Sequence, residues 1–198
     1  MTRIIAGAAG GRRLAVPSEG TRPTSDRVRE ALFSSLEHDP GLSGAVVLDL
    51  CAGSGALGLE ALSRGAAHAT FVEMDKRAVA VLRKNVAVVG LGGDVRYGPA
   101  GTVLETAPPR AHDLVLVDPP YAEPEAAIAR WLHTGLRTGW IAPDAVVVVE
   151  RARSREPFPW PEGVEALRER RYGDTVIHVG GCYGPLMPGE APMTGHEQ

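Results

Sequence analysis

Two stretches of this 198-residue chain hold residue types and spacings that could do chemistry. The first is Asp118-Pro119-Pro120-Tyr121, an acid, two prolines and an aromatic directly after the apolar run Asp113-Leu114-Val115-Leu116-Val117. Proline removes N–H groups and fixes φ, and it biases the residue before it toward extended geometry, so this tetrapeptide is stiff and rich in unclaimed carbonyls. Asp118 adds a carboxylate, and Tyr121 offers a flat face on which a base could stack. Such a set suits an exocyclic amino group: acceptors gripping both of its hydrogens draw the nitrogen toward a pyramidal form whose lone pair can attack a methyl donor. The plain structural alternative is a proline turn with Asp118 capping the next helix.

The second stretch is Val46-Val47-Leu48-Asp49-Leu50-Cys51-Ala52-Gly53-Ser54-Gly55-Ala56-Leu57-Gly58, whose pattern reads strand, tight glycine loop, helix. Glycines at 53 and 55 let the backbone bend and approach a ligand, with the opening helix N–H groups aimed at it. Gly53-x-Gly55-x-x-Gly58, with Glu73 about 20 residues on, matches the dinucleotide fingerprint and its ribose-binding acid. Asp49, four residues before the first glycine, favours a ligand with a positively charged amino group. S-adenosylmethionine carries such an ammonium together with a ribose and an adenine; a dinucleotide and a purely structural turn are the competing readings.

These stretches need a frame to bring them together. Ala69 to Glu73 reads as a second strand and Lys76 to Val89 as its helix, Val95-Arg96-Tyr97 as a weak third strand, Asp113 to Val117 as a fourth, Glu125 to His133 as a helix, and Ala145 to Val149 as a fifth strand. Alternation of this kind predicts an α/β fold, a Rossmann-like parallel sheet covered on both faces, with ligands beyond the carboxyl ends of its strands. Val164 to Tyr172 and Thr175 to Val179, around Gly173-Asp174, predict a closing hairpin at one edge.

Ahead of this frame, Arg3 to Gly7 and Arg12 to Val16 predict a small hairpin, Pro17 to Thr21 a loop, and Thr24 or Ser25 the cap of a helix with Val28, Ala31, Leu32 and Leu36 on its apolar face. Net charge is −3, which argues against nonspecific coating of nucleic acid, yet Arg3, Arg12, Arg13 and Arg22 face only Glu19 in the first 22 residues. With Arg27 and Arg29 they form a candidate phosphate-binding surface, set against the plain reading of solvated charges in a chain that uses 19 arginines and two lysines. No signal peptide or membrane-length apolar run is visible, which predicts a cytoplasmic protein, and Cys51 and Cys182 lack metal or disulfide spacing. No metal site is expected from the six histidines either.

On Arg3-Ile4-Ile5-Ala6-Gly7, the segment Thr21-Arg22-Pro23-Thr24-Ser25-Asp26-Arg27-Val28-Arg29-Glu30-Ala31-Leu32-Phe33, the glycine loop, Asp118-Pro119-Pro120-Tyr121 and Tyr172-Gly173-Asp174-Thr175, the sequence resembles the bacterial 16S ribosomal RNA (guanine-966)-N2-methyltransferase family, within the class I S-adenosylmethionine-dependent methyltransferases. The resemblance implies a seven-stranded sheet with an antiparallel last strand in a methyltransferase domain over 41–183, preceded by an RNA-contacting extension over 1–40; the last residues, 184–198, rich in Pro and Gly and almost without apolar periodicity, read by composition as a disordered tail. It implies that Asp49, Ala52, Gly53, Gly55, Glu73 and Asp118 hold S-adenosyl-L-methionine. Asp118, Pro119, Pro120 and Tyr121 would receive the guanine, and Arg3, Arg12, Arg13, Arg22, Thr24, Arg27 and Arg29 the RNA. The implied partner is 16S rRNA within the small ribosomal subunit or an assembly intermediate, met by a monomer. One departure stands out: Gly98-Pro99-Ala100 occupies the place where relatives often carry an acid toward the adenine. Outside this family, a DNA adenine-N6 or cytosine-N4 methyltransferase could use the same tetrapeptide, and a nicotinamide-dependent oxidoreductase the same glycine turn. A silent RNA-binding module is the non-enzymatic reading.

Overall fold

Val47, Leu48 and Leu50 are fully buried, as expected for a strand covered on both faces, and the sheet grows outward from them. The computed structural model describes residues 2–17, 25–38 and 41–183. Arg22, Thr24, the 17–21 loop beyond Pro17 and the 184–198 tail, all singled out in the sequence, lie outside the described residues. A ribbon of β1 (Thr2–Arg3) and β2 (Arg13–Leu14) leads to α1 (Asp26–His38). Alternating elements follow: β3 (Val46–Leu50), α2 (Ala56–Ser63), β4 (His68–Glu73), α3 (Lys76–Val89), β5 (Asp94–Tyr97), α4 (Ala100–Leu104), β6 (His112–Val117), α5 (Glu125–Thr138) and β7 (Ile141–Ala152). The hairpin of β8 (Val164–Tyr172) and β9 (Thr175–Cys182) ends the described chain.

The seven-stranded sheet has the order β5-β4-β3-β6-β7-β9-β8. The first five of these strands run parallel, and β9 alone opposes both neighbours. After β5 the chain returns to the other side of β3, so the order reverses between β3 and β6 and a crevice opens beyond their carboxyl ends. Leu50 pairs with Val117 there, which sets the glycine loop and Asp118 side by side.

Several details differ from the sequence reading. The β1–β2 ribbon has only two ladder pairs, though Ile4 N–H to Arg12 C=O and Gly11 N–H to Ile4 C=O extend it. On α1 it is Phe33, not Ala31, that is fully buried beside Val28, Leu32 and Leu36. β7 begins at Ile141, because a register break opposite His112 and Leu114 takes up Pro143, which could not sit in a regular ladder. Gly135 lets α5 run on to Thr138, since a Cβ there would lie 2.8 Å from Ile141.

The N-terminal elements share the core of the sheet: Ile4, Leu14, Val28, Leu32 and Phe33 cluster with Val47, Phe71, Leu82 and Ile177. Polar ties reinforce this packing. Glu60, wholly buried on α2, accepts the Ile5 and Ala6 N–H groups at 2.7 and 3.1 Å and pairs with Arg64 at 2.7 Å. Arg64 also reaches Glu37 of α1 at 3.1 Å and lies over the Phe33 ring.

Candidate active site

The glycine loop owes its shape to three residues with positive φ: Cys51 at 61°, Gly53 at 55° and Gly55 at 82°. A Cβ on Gly55 would meet Leu82 at 2.4 Å, and one on Gly58 would meet Phe71 at 2.4 Å. These two glycines therefore serve the turn and the close packing of α2 on its neighbours, and their missing side chains face the protein interior rather than a ligand. Asn85 of α3 braces the same loop: its Nδ2 donates to Ser54 C=O at 2.8 Å and Ala15 C=O at 2.9 Å, while its Oδ1 accepts the Ala15 N–H.

Around the loop the chain concentrates negative charge. Glu73, at the end of β4, takes the Gly53 N–H on Oε2 and the Met74 and Asp75 N–H groups on Oε1, all at 2.8 Å. A carboxylate oxygen can accept two hydrogen bonds, so Oε2 retains room for one further donor, such as a ribose hydroxyl. Asp49 is 1% exposed and accepts the Gly58 N–H at 2.9 Å. Burial pushes its pKa from 3.8 up to about 7, the Gly58 bond opposes this, and the Glu73 charge adds to it. Burial also pushes the Cys51 thiol far up, with the charges of Glu73, Asp118, Asp49 and Glu123 acting in the same direction. Cys51 is accordingly a protonated thiol and no nucleophile.

Four carboxylates thus converge on one loop. That field repels the pyrophosphate of a dinucleotide and attracts a ligand carrying an ammonium and a sulfonium, so the residues present fit S-adenosylmethionine. Asp49 would hold the ammonium and Glu73 the ribose. After β5, Gly98 N–H is tied to Glu73 C=O and Pro99 caps the five-residue α4, an element without a sequence signal of its own.

Asp118 follows β6 and donates its N–H to Leu50 C=O across the crevice at 3.4 Å. The helix after it starts at Glu125 with Pro124 at its N-cap, so the reading of Asp118 as a helix cap is wrong: it stands too far upstream. Pro119 is buried, whereas Tyr121 is 42% exposed, with its hydroxyl 3.3 Å from Thr175 Oγ1. Sequence reasoning missed Arg151, whose guanidinium lies against this loop. The available signal was a charged pair, Glu150-Arg151, at the end of an otherwise apolar strand.

The arginines divide. Arg13 and Arg27 are exposed, and Arg3 is exposed while pairing with Asp26 at 3.4 Å. Arg29 is a correction: it is fully buried, donating to Arg3 C=O at 2.9 Å and Asp26 at 2.6 Å, and so cannot meet a phosphate at the surface. The helical period places it beside Phe33, on the buried side of α1. Arg12 is exposed, but its Nη1 donates to Val88 and Val89 C=O and so closes the end of α3. No cluster of metal-ligating side chains occurs among the described residues. Nor is any described helix long and apolar enough to cross a membrane.

The family described as Conserved hypothetical protein 95 matches residues 2–181. The chain is 43% identical over 151 residues to a protein of Escherichia coli strain K12 named Ribosomal RNA small subunit methyltransferase D, covering 75% of this chain and 73% of that one. A protein of the same name from Haemophilus influenzae is 38% identical over 176 residues, covering 86% and 89%. Among solved structures, a candidate methyltransferase from Escherichia coli superposes with a TM-score of 0.82 at 38% identity, over 92% of this chain and 98% of that one. The fold, the crevice between β3 and β6 and these likenesses agree, and the chain belongs to the Conserved hypothetical protein 95 family, with the class I methyltransferase fold.

Proposed function

We propose that this protein transfers a methyl group from S-adenosylmethionine to the exocyclic N2 amino group of a guanine in the 16S rRNA of the small ribosomal subunit. One observation carries the reading: a loop ringed by carboxylates, fitted to a cationic cofactor, lies across one strand boundary from a stiff loop of acceptors with an exposed tyrosine. The likeness to proteins named for small-subunit ribosomal RNA supports the substrate class.

When bound, S-adenosylmethionine supplies an electrophilic methyl group on a positively charged sulfur. The chain supplies position and charge. The target guanine leaves its stack and lies on Tyr121, while Asp118 and the Pro119 carbonyl accept the two N2 hydrogens. The cofactor would supply the methyl group and keep the carbon–sulfur bonding pair on its sulfur, the N2 lone pair would make the new bond to carbon, and the Asp118 carboxylate would pass the surplus N2 proton to water. Negative charge at Asp118 stabilises the positive charge developing on N2.

The test is to incubate the protein with labelled S-adenosylmethionine and small ribosomal subunits lacking the modification, then to map the product. A single N2-methylguanine in 16S rRNA is expected. Label on an adenine N6 or cytosine N4 amino group, or no transfer to RNA, overturns the reading.

A further inference from the structure

The loop that would receive the guanine has few means of its own to hold a shape. Pro119 and Pro120 donate no hydrogen bonds, and the loop's own backbone contributes Glu123 N–H to Pro120 C=O at 2.9 Å. What spans it is Arg151, the second-last residue of β7, only 5% exposed. Its Nη1 donates to Pro120 C=O at 3.2 Å, and its Nη2 donates to Tyr121 C=O at 3.2 Å and Glu123 C=O at 2.7 Å. Its Nε lies 3.9 Å from the Glu125 carboxylate at the start of α5. A buried cation is costly unless it is paired; here three carbonyls take both Nη groups, while the buried Nε makes no hydrogen bond and has only the charge of Glu125 opposite it.

We infer that Arg151 is the positioning residue of the acceptor loop: its planar fork fixes the carbonyls of residues 120, 121 and 123 to the sheet, so that the Pro119 carbonyl, Asp118 and the Tyr121 ring face the substrate amino group. This rests on the function proposed above. The Pro119 carbonyl is not among the acceptors of Arg151, so the clamp leaves free the one backbone oxygen that the transfer needs. A second tie points the same way. Tyr121 meets Thr175 through its hydroxyl, and Thr175 pairs with Ala152 on β7 while Arg151 pairs with the adjacent Val176. Main chain and ring of Tyr121 are therefore pinned to the same two rungs of one ladder. None of these bonds touches the glycine loop, so the influence of Arg151 falls on transfer and not on cofactor binding.

Arg151→Ala is expected to lower single-turnover methyl transfer about a hundredfold, the scale of a misplacement near 1 Å at the reacting groups. Its affinity for S-adenosylmethionine by calorimetry and its KM for small ribosomal subunits should stay within about twofold of wild type. Millimolar methylguanidinium, filling the vacated space, should restore the Arg151→Ala rate at least tenfold, on the order of one recovered set of loop hydrogen bonds, while leaving wild type unchanged. Arg151→Lys keeps the charge but not the fork and should lose about tenfold. A wild-type rate in Arg151→Ala overturns the inference, as does a parallel loss of cofactor affinity and rate without rescue. Should Arg151→Ala fail to fold by circular dichroism, Arg151→Lys decides: transfer at the wild-type rate refutes the clamp. Wild type run alongside keeps the two proposals apart, because a product other than N2-methylguanine refutes the function, whereas the clamp is judged on the rate of whatever transfer occurs.

Discussion

Asp118 and Asp49 are both acids at the crevice, yet their burial assigns them different work. Asp118 is half-buried and, on the proposed function, stands where the substrate would arrive, so Asp118→Ala should fold and bind most of the cofactor while single-turnover transfer at saturating RNA falls about a hundredfold or more, the effect of losing roughly 3 kcal/mol of electrostatic stabilisation. Asp118→Asn keeps an acceptor oxygen without the charge and should fall between the two; wild-type transfer in Asp118→Ala would place the acceptor elsewhere. Asp49 instead carries a pKa raised from 3.8 to about 7. The folded chain then holds a proton that the unfolded chain releases, so this group costs stability above its unfolded value, progressively from about pH 4 to 7 and by on the order of 4 kcal/mol beyond that. A bound ammonium reverses the balance. Affinity for S-adenosylmethionine should therefore rise as pH goes from about 6 to 8, and Asp49→Asn should stabilise the cofactor-free protein at pH 8 while flattening that rise, as calorimetry and urea denaturation at each pH would measure.

The N-terminal ribbon and α1 are held as elements of the main fold by buried polar hubs. Glu60 satisfies two ribbon N–H groups and one guanidinium from a position with no access to water. Glu60→Ala strands all three and should cost about 3 to 5 kcal/mol in urea denaturation, the usual penalty for removing one partner of a buried ion pair. A loss below about 1 kcal/mol would show that the ribbon is held by its apolar residues alone. The same logic explains why Gly7 must be glycine: its φ is +81°, and a Cβ would collide with the Ser63 carbonyl to which the neighbouring Ala8 N–H is bonded.

For the molecule as a whole, a net charge of −3 is compatible with binding RNA only if basic residues are locally placed. Of the arginines described in the N-terminal part, Arg13 and Arg27 stand exposed and Arg3 is exposed but paired with Asp26, whereas Arg29 and the Nη1 of Arg12 are committed to the fold. Arg13→Ala with Arg27→Ala should weaken RNA binding and reduce the slope of log affinity against log salt by about one for each phosphate that is no longer neutralised. Arg29→Ala should destabilise the fold and leave that slope unchanged. Filter binding over a salt series distinguishes them, and an unchanged slope in the double variant would return Arg13 and Arg27 to ordinary solvated charge.

The sequence by itself determined the alternation of strand and helix, the glycine turn and the stiff Asp118-Pro119-Pro120-Tyr121 loop, because these depend on local periodicity and on the restricted backbone of glycine and proline. Short-range pattern also located Glu73 and Asp118, each directly at the end of an apolar run. What only the tertiary structure decided is which polar groups are spent inside. Arg29 reads on paper as one more basic residue of a charged helix, and Arg151 as an ordinary charge after a strand, because neither burial nor a partner 30 positions away leaves a local trace. The same holds for Gly55 and Gly58, whose missing side chains answer to Leu82 and Phe71 rather than to a ligand. A residue's type fixes the chemistry available to it; the packing of distant segments fixes whether that chemistry faces solvent, substrate or the interior.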